Sequence, residues 1–182
     1  MTQRERMLNA VVAAVAEQGF ADMTVADVVA GAGVSRRTFY EQFDDKLDCF
    51  LAAYRSHADA LLSDVERAVA AADPADRLHA GLTAYLDGLA REPMAARVLI
   101  VDILGAGPKA LEAREQMRTR WGETYRGVSR DDDVLRALVG GIAELVQARL
   151  LAGEADRLPE LVPTLERFVK AVVEASRGAG VR

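Results

Sequence analysis

The chain has 182 residues, 51% of them hydrophobic and 28% charged, with a formal net charge of −5. This is the composition of a globular protein, one that buries about 70% of the surface its unfolded chain exposes, and it excludes a disordered or fibrous polymer. A single cysteine, Cys49, rules out an intrachain disulfide, no stretch approaches the roughly 18 apolar residues of a membrane span, and the first residues lack an apolar leader core. A cytoplasmic protein without a membrane partner is therefore expected.

Abundant alanine, few aromatics and only five prolines favour helix over strand. The apolar residues recur at helical spacing nearly throughout, so the expectation is an all-α fold of about nine helices. Leu8, Val11, Val12 and Val15 form a first stripe that Gly19 stops. Thr24 has the character of an N-cap, with Asp27 placed to complete a capping box, and Val25, Val28 and Val29 face inward. Gly31 and Gly33 are expected to end this short second helix. Ser35 caps a third helix carrying Arg36, Arg37, Thr38, Phe39 and Tyr40, closed by Phe43. Asp44 is expected to cap a longer fourth helix over about 45–72, with Leu47, Phe50, Leu51, Tyr54, Leu61 and Leu62 inward.

Asp73-Pro74 reads as the softest boundary in the chain. Further helices are expected near 76–91, 94–104, 109–127, 131–152 and 159–177, separated by Pro93, the 105–108 turn, Gly127 and Gly153, with a tail fraying from Gly178. The division expected is a smaller domain over 1–46 and a larger domain over 47–182, joined by the fourth helix.

Two short capped helices joined by a tight turn of small residues, 30–35, make the helix-turn-helix geometry. Its second helix must place N-terminal side chains in the DNA major groove, where Arg36, Arg37 and Thr38 stand. Arginine pairs with guanine O6 and N7 through two parallel donors, and threonine meets a thymine methyl or a phosphate. Thr24, with the amides behind it, and Lys46, in the first turn of the fourth helix, are expected at phosphates, and Tyr40 offers a hydroxyl one turn beyond the arginines. Phe39 and Phe43 read as core rather than base-stacking residues, and Cys49 as a packing residue. Residues 1–46 hold five Lys/Arg and seven Asp/Glu, so the reading head is formally −2 and its affinity rests on a few placed cations.

The stretch Thr24-Val-Ala-Asp-Val-Val-Ala-Gly-Ala-Gly-Val-Ser-Arg-Arg-Thr-Phe-Tyr-Glu-Gln-Phe-Asp-Asp-Lys46 resembles the DNA-binding segment of the TetR family of repressors. The resemblance implies an all-helical homodimer whose three N-terminal helices read DNA and whose C-terminal helical domain binds a small, largely apolar molecule. By position, Thr24, Ser35, Tyr40 and Lys46 match the family's phosphate and capping residues, and Arg36, Arg37 and Thr38 its base contacts. Glu41 and Gln42 depart from the pattern, which often has a basic residue or histidine here; the change removes phosphate contacts and adds repulsion.

In the expected eighth and ninth helices, Leu135, Leu138, Val139, Ile142, Leu145 and Val146, then Leu161, Leu165, Phe168 and Val172, form broad stripes. They suit an internal core, or, as the resemblance implies, a four-helix dimer interface that presents two heads to a pseudo-palindromic operator. Gly140 and Gly141 permit close helix approach. Candidate ligand-lining residues are Tyr85, Leu89, Met94, Val98, Asp102, Met117, Trp121, Tyr125 and Gln147. Asp102 stands in an apolar run, where it is either internally paired or faces a ligand cation or hydroxyl. The charges from Arg114 to Arg126 read as a solvated helix face.

The function expected is transcriptional repression relieved by a ligand; the alternative is a DNA-associated structural protein of the same fold without an inducer. His57 and His79 are the only histidines and stand in no ligand-spaced cluster. There is no nucleophile elbow and no phosphate loop, so neither enzyme, metal site nor cofactor is expected.

Overall fold

The computed structural model describes residues 1–127 and 129–179, except for the side chains of 177–179. The described residues form α1 (Gln3–Asp22), α2 (Val25–Ala32), α3 (Arg36–Tyr40), α4 (Lys46–Ala71), α5 (Arg77–Arg91), α6 (Pro93–Ile100), α7 (Pro108–Thr124), α8 (Asp132–Leu151) and α9 (Val162–Ala179). Two 3-10 segments stand among them, Asp102–Gly105 and Ala155–Leu161, and there is no strand. The all-α expectation holds. The end of the expected fraying tail, 180–182, lies outside the described residues.

The chain divides into two compact units. The first comprises Met1–Asp59 with Met94–Arg114, the second Ala60–Pro93 with Glu115–Arg182. The boundaries thus fall within α4, after the first residue of α6, and within α7, not at Asp73-Pro74. The proline only turns the chain between α4 and α5, which cross closely in the second unit: a Cβ on Gly81 would meet Val69 at 3.0 Å, and one on Gly88 would meet Leu61 at 2.5 Å. Also in that unit, α5 packs on the 155–161 segment and on α9, and α8 on α9.

In the first unit α1 packs on α2 and on the 102–105 turn. A capping box of Thr2 and Glu5 starts α1. Gly19, at φ +81°, breaks its regular geometry, yet one further turn runs to Asp22, closed by Met23 N–H donating to the Gly19 carbonyl. Gly33 alone supplies the left-handed cap of α2, at φ +62°. Gly31 is inside that helix, where its missing side chain lets the Ala10 Cβ come to 3.2 Å from the Cβ position. Asp45, not Asp44, caps α4: its Oδ1 accepts from Asp48 N–H at 2.8 Å, and Asp48 returns the bond to Asp44 N–H at 3.2 Å.

No helix among the described residues is long and apolar enough to cross a membrane, and no group of three or more potential metal-ligating side chains occurs among them.

Candidate nucleic-acid interface

The turn between α2 and α3 is held from both sides. Thr24 Oγ1 accepts from Asp27 N–H at 3.3 Å, while Asp27 Oδ2 accepts from the Thr24 amide at 2.8 Å and its hydroxyl at 2.7 Å. These bonds hold the Asp27 carboxyl below the usual carboxylate range. They also correct one expectation: the N-terminus of α2 already holds an anion of its own, so the Thr24 hydroxyl and amide are not free for a phosphate. Ser35 Oγ accepts from Thr38 N–H at 3.0 Å and pairs with Thr38 Oγ1 at 2.9 Å, fixing the first turn of α3.

Phe39 anchors α3. It is fully buried, packs edge-on against Tyr40 at 5.4 Å and tilts against Phe43 at 5.6 Å, so both phenylalanines are core as expected. With Phe39 inward, Arg36, Arg37 and Tyr40 stand in solvent and Thr38 is half-buried. Arg37 has 89% of its side chain exposed, and its Nε donates to Glu41 Oε1 at 2.9 Å. The Arg4 guanidinium lies 4.6 Å from the centroid of the Phe43 ring, adding a cation that the sequence pattern did not single out.

Lys46 is placed differently from expectation. Its ammonium donates to the carbonyls of Phe20 at 3.0 Å, Ala21 at 3.0 Å and Met23 at 2.7 Å, and sits 4.9 Å from the Phe20 ring centroid. All three protons are engaged with the end of α1, so the side chain holds the fold rather than reaching toward a phosphate. Cys49 is fully buried, its thiol directed at the Met7 carbonyl and pushed by burial to a pKa of about 12, as befits a packing residue.

The candidate ligand residues are dispersed. Met94, Val98 and Asp102 belong to the first unit; Tyr85, Leu89, Met117, Trp121, Tyr125 and Gln147 belong to the second. Tyr85 and Trp121 meet edge-on at 5.2 Å, and burial pushes the Tyr125 hydroxyl to about 12. Leu89, Val98 and Met117 are buried, Gln147 is half-buried, and Met94 is 55% exposed. Asp102 is internally paired through one of its two oxygens. Oδ1 pairs with Arg97 Nε at 3.4 Å, while Oδ2 is buried without a hydrogen-bond partner. Burial raises its pKa and Arg97 opposes the rise.

Glu115, Arg118, Glu123 and Arg126 are not merely a solvated face. With Asp132, Leu135, Arg136 and Val139 they line a cleft of about 210 Å³ between α7 and α8. Arg126 grips Glu123 and Asp132, and Arg136 pairs with Glu115.

Six of the residues expected at a dimer interface, Leu135, Leu138, Ile142, Val146, Leu161 and Leu165, are at most 7% exposed within the single chain. They have no surface left to give a partner, so they are internal core. Val139, Phe168 and Val172 are half-buried and Leu145 is 38% exposed. Gly141 admits the Phe168 ring, which a Cβ would meet at 3.0 Å, and a Cβ at Gly140 would meet the Arg118 guanidinium at 3.3 Å.

Residues 8–53 match the family model of bacterial regulatory proteins, tetR family. The chain is 28% identical over 98 residues to the HTH-type transcriptional activator FasR of Mycolicibacterium smegmatis, an alignment covering 53% of this chain and 45% of that protein. It spans about half the length of the curated relatives it matches. Among solved structures, the fatty acid degradation regulator FadR of Bacillus halodurans superposes with a TM-score of 0.81 at 16% identity, over 93% of this chain and 95% of that one. FadR of Bacillus subtilis, solved in complex with stearoyl-CoA, superposes at 0.76 and 16% identity, over 93% and 97%. Those two likenesses are of fold.

Proposed function

We propose that this chain, whose residues 8–53 match the tetR-family model, is a TetR-family transcriptional regulator that represses transcription from a pseudo-palindromic operator, as a cytoplasmic homodimer released from DNA by a small, largely apolar ligand. The observation that carries this reading is α3: a five-residue helix capped by Ser35, anchored by buried Phe39, with Arg36 and Arg37 held out into solvent. In the reading head, residues 1–46, Arg36, Arg37 and Thr38 meet base edges, Ser35 fixes their turn, and Tyr40 reaches the backbone. The half-buried residues of α8 and α9, Val139, Phe168 and Val172, together with exposed Leu145, form the surface shared with a second copy, and two heads then address successive major grooves.

Ligand release requires a molecule that favours one state of the dimer over the other. The candidate partner is Asp102, whose buried Oδ2 offers an acceptor to a hydroxyl or cationic group. Because a structural relative binds stearoyl-CoA, a long-chain acyl-CoA is the first probe to try.

The test is a mobility shift at low salt on the DNA flanking the gene itself. A verified dimer should retard a palindrome-bearing fragment, and Arg37→Ala should relax its sequence preference. Adding stearoyl-CoA, or a small apolar compound that raises the melting temperature, should free the DNA. A dimer that ignores every such fragment contradicts the DNA reading. One that binds DNA but gains stability from none of the compounds, and is released by none, contradicts the ligand reading. A reporter fused to the operator gives the sign of regulation; loss of expression on deleting the gene would mean activation.

A further inference from the structure

We infer that Glu41 aims Arg37, and so fixes which base the recognition helix prefers; this rests on the DNA-reading function proposed above. Glu41 is the C-cap of α3, one turn after Arg37, and the two meet through a single bond, Arg37 Nε to Glu41 Oε1, at 2.9 Å. A bond at Nε leaves the other edge of the guanidinium, with both Nη groups, unused by Glu41. That edge is the fork that fits guanine O6 and N7.

Both partners stand in water, with side chains 89% and 55% exposed. In the free protein such a pair contributes little to stability. Its effect belongs to the DNA complex, where phosphates compete for every arginine. A carboxylate on the same helix repels those phosphates and retains the guanidinium over the groove floor. The expected cost of Glu41, weaker contact with the backbone, is thus coupled to a gain in discrimination. A direct reading by Glu41 of a cytosine amino group is distinguished by position: it would place the Glu41 preference at a base that Arg37→Ala leaves intact.

The experiment selects the preferred sequence from random duplex DNA with the full wild-type chain, then measures binding to that site and to its single-base variants. The proteins compared are wild type, Arg37→Ala, Glu41→Ala, Glu41→Gln and the Arg37→Ala/Glu41→Ala double variant. Arg37→Ala should lose a guanine preference on the order of tenfold at one position of each half-site. Glu41→Ala should lose part of that preference, about threefold, at the same position and nowhere else. It should at the same time bind unrelated DNA more tightly, which a merely structural role would not produce. Glu41→Gln, whose amide oxygen still accepts from Nε, should keep the preference. The double variant should discriminate no worse than Arg37→Ala alone. An unchanged preference in Glu41→Ala, or one lost at a position that Arg37→Ala leaves intact, overturns the proposal. Failure of the wild type to enrich any sequence overturns the DNA reading itself, and this role with it.

Discussion

Lys46 shows how a residue type can be recognised while its task is misread. A lysine in the first turn of a helix that follows a recognition motif suggests a phosphate contact, but the compact ammonium fits the three converging carbonyls of Phe20, Ala21 and Met23. Removing it leaves three acceptors at the end of α1 without a charged donor. Lys46→Ala should lower unfolding stability by about 2 kcal/mol, read from urea denaturation. Lys46→Arg should not restore it, since a planar fork cannot address three carbonyls arranged around a point. An unchanged midpoint for Lys46→Ala would mean that water serves those carbonyls equally well. Asp102 makes the opposite case. Burial raises its folded pKa above the unfolded value of 3.8, so the ionised form costs stability. That cost is fully present above the folded pKa and fades as pH falls toward 3.8. Asp102→Asn should therefore raise the melting temperature at neutral pH, with the gain shrinking in acid. A lowered melting temperature at neutral pH would mean that the Arg97 pair outweighs burial.

At the scale of elements, what is local in sequence was legible. The Thr24 and Asp27 box, the Ser35 cap and the inward turn of Phe39 each follow from residues within one turn of one another. Where two equivalent residues adjoin, the pattern could not choose between them: Asp45 rather than Asp44 caps α4, and Gly33 rather than Gly31 takes the left-handed conformation. Long-range contacts were out of reach. Helical periodicity marks Leu138 and Leu165 as apolar, but not what covers them. The two glycines of α8 looked alike and are not. A Cβ at Gly141 would press on the Phe168 ring, whereas one at Gly140 would meet only the tip of Arg118. Gly140→Ala should consequently be more stable than Gly141→Ala by about 1–2 kcal/mol, since both gain helix propensity and only the second must move a ring. Equal denaturation midpoints would show that the ring shifts freely.

For the whole molecule, the sequence was clear about architecture and the helix-turn-helix and much less so about any ligand site. An all-α chain with a helix-turn-helix leaves a dense local signature, whereas the candidate lining residues are ordinary apolar and aromatic side chains that core packing would use anyway. The same ambiguity affected the dimer stripe, six of whose residues are consumed inside one chain. The surface left for the proposed second copy is therefore narrow, and Leu145, at 38% exposure, is the place to probe it. Leu145→Glu should give a monomer in light scattering with unchanged helical circular dichroism, and should lose operator affinity with the dimer. A Leu145→Glu protein that remains dimeric would move the interface off this face of α8.

The Lys46 contact also acts on connectivity. It joins residues 23 to 26 positions apart, drawing the chain that carries α2 and α3 into a ring with one ammonium at its neck. The entropy of closing a loop grows slowly with its length, so a single well-placed group can shut a ring of this size. A closed ring opens as a unit. The amides of α2, of α3 and of the last turn of α1 should then exchange with solvent at similar rates, and breaking the neck should release them together.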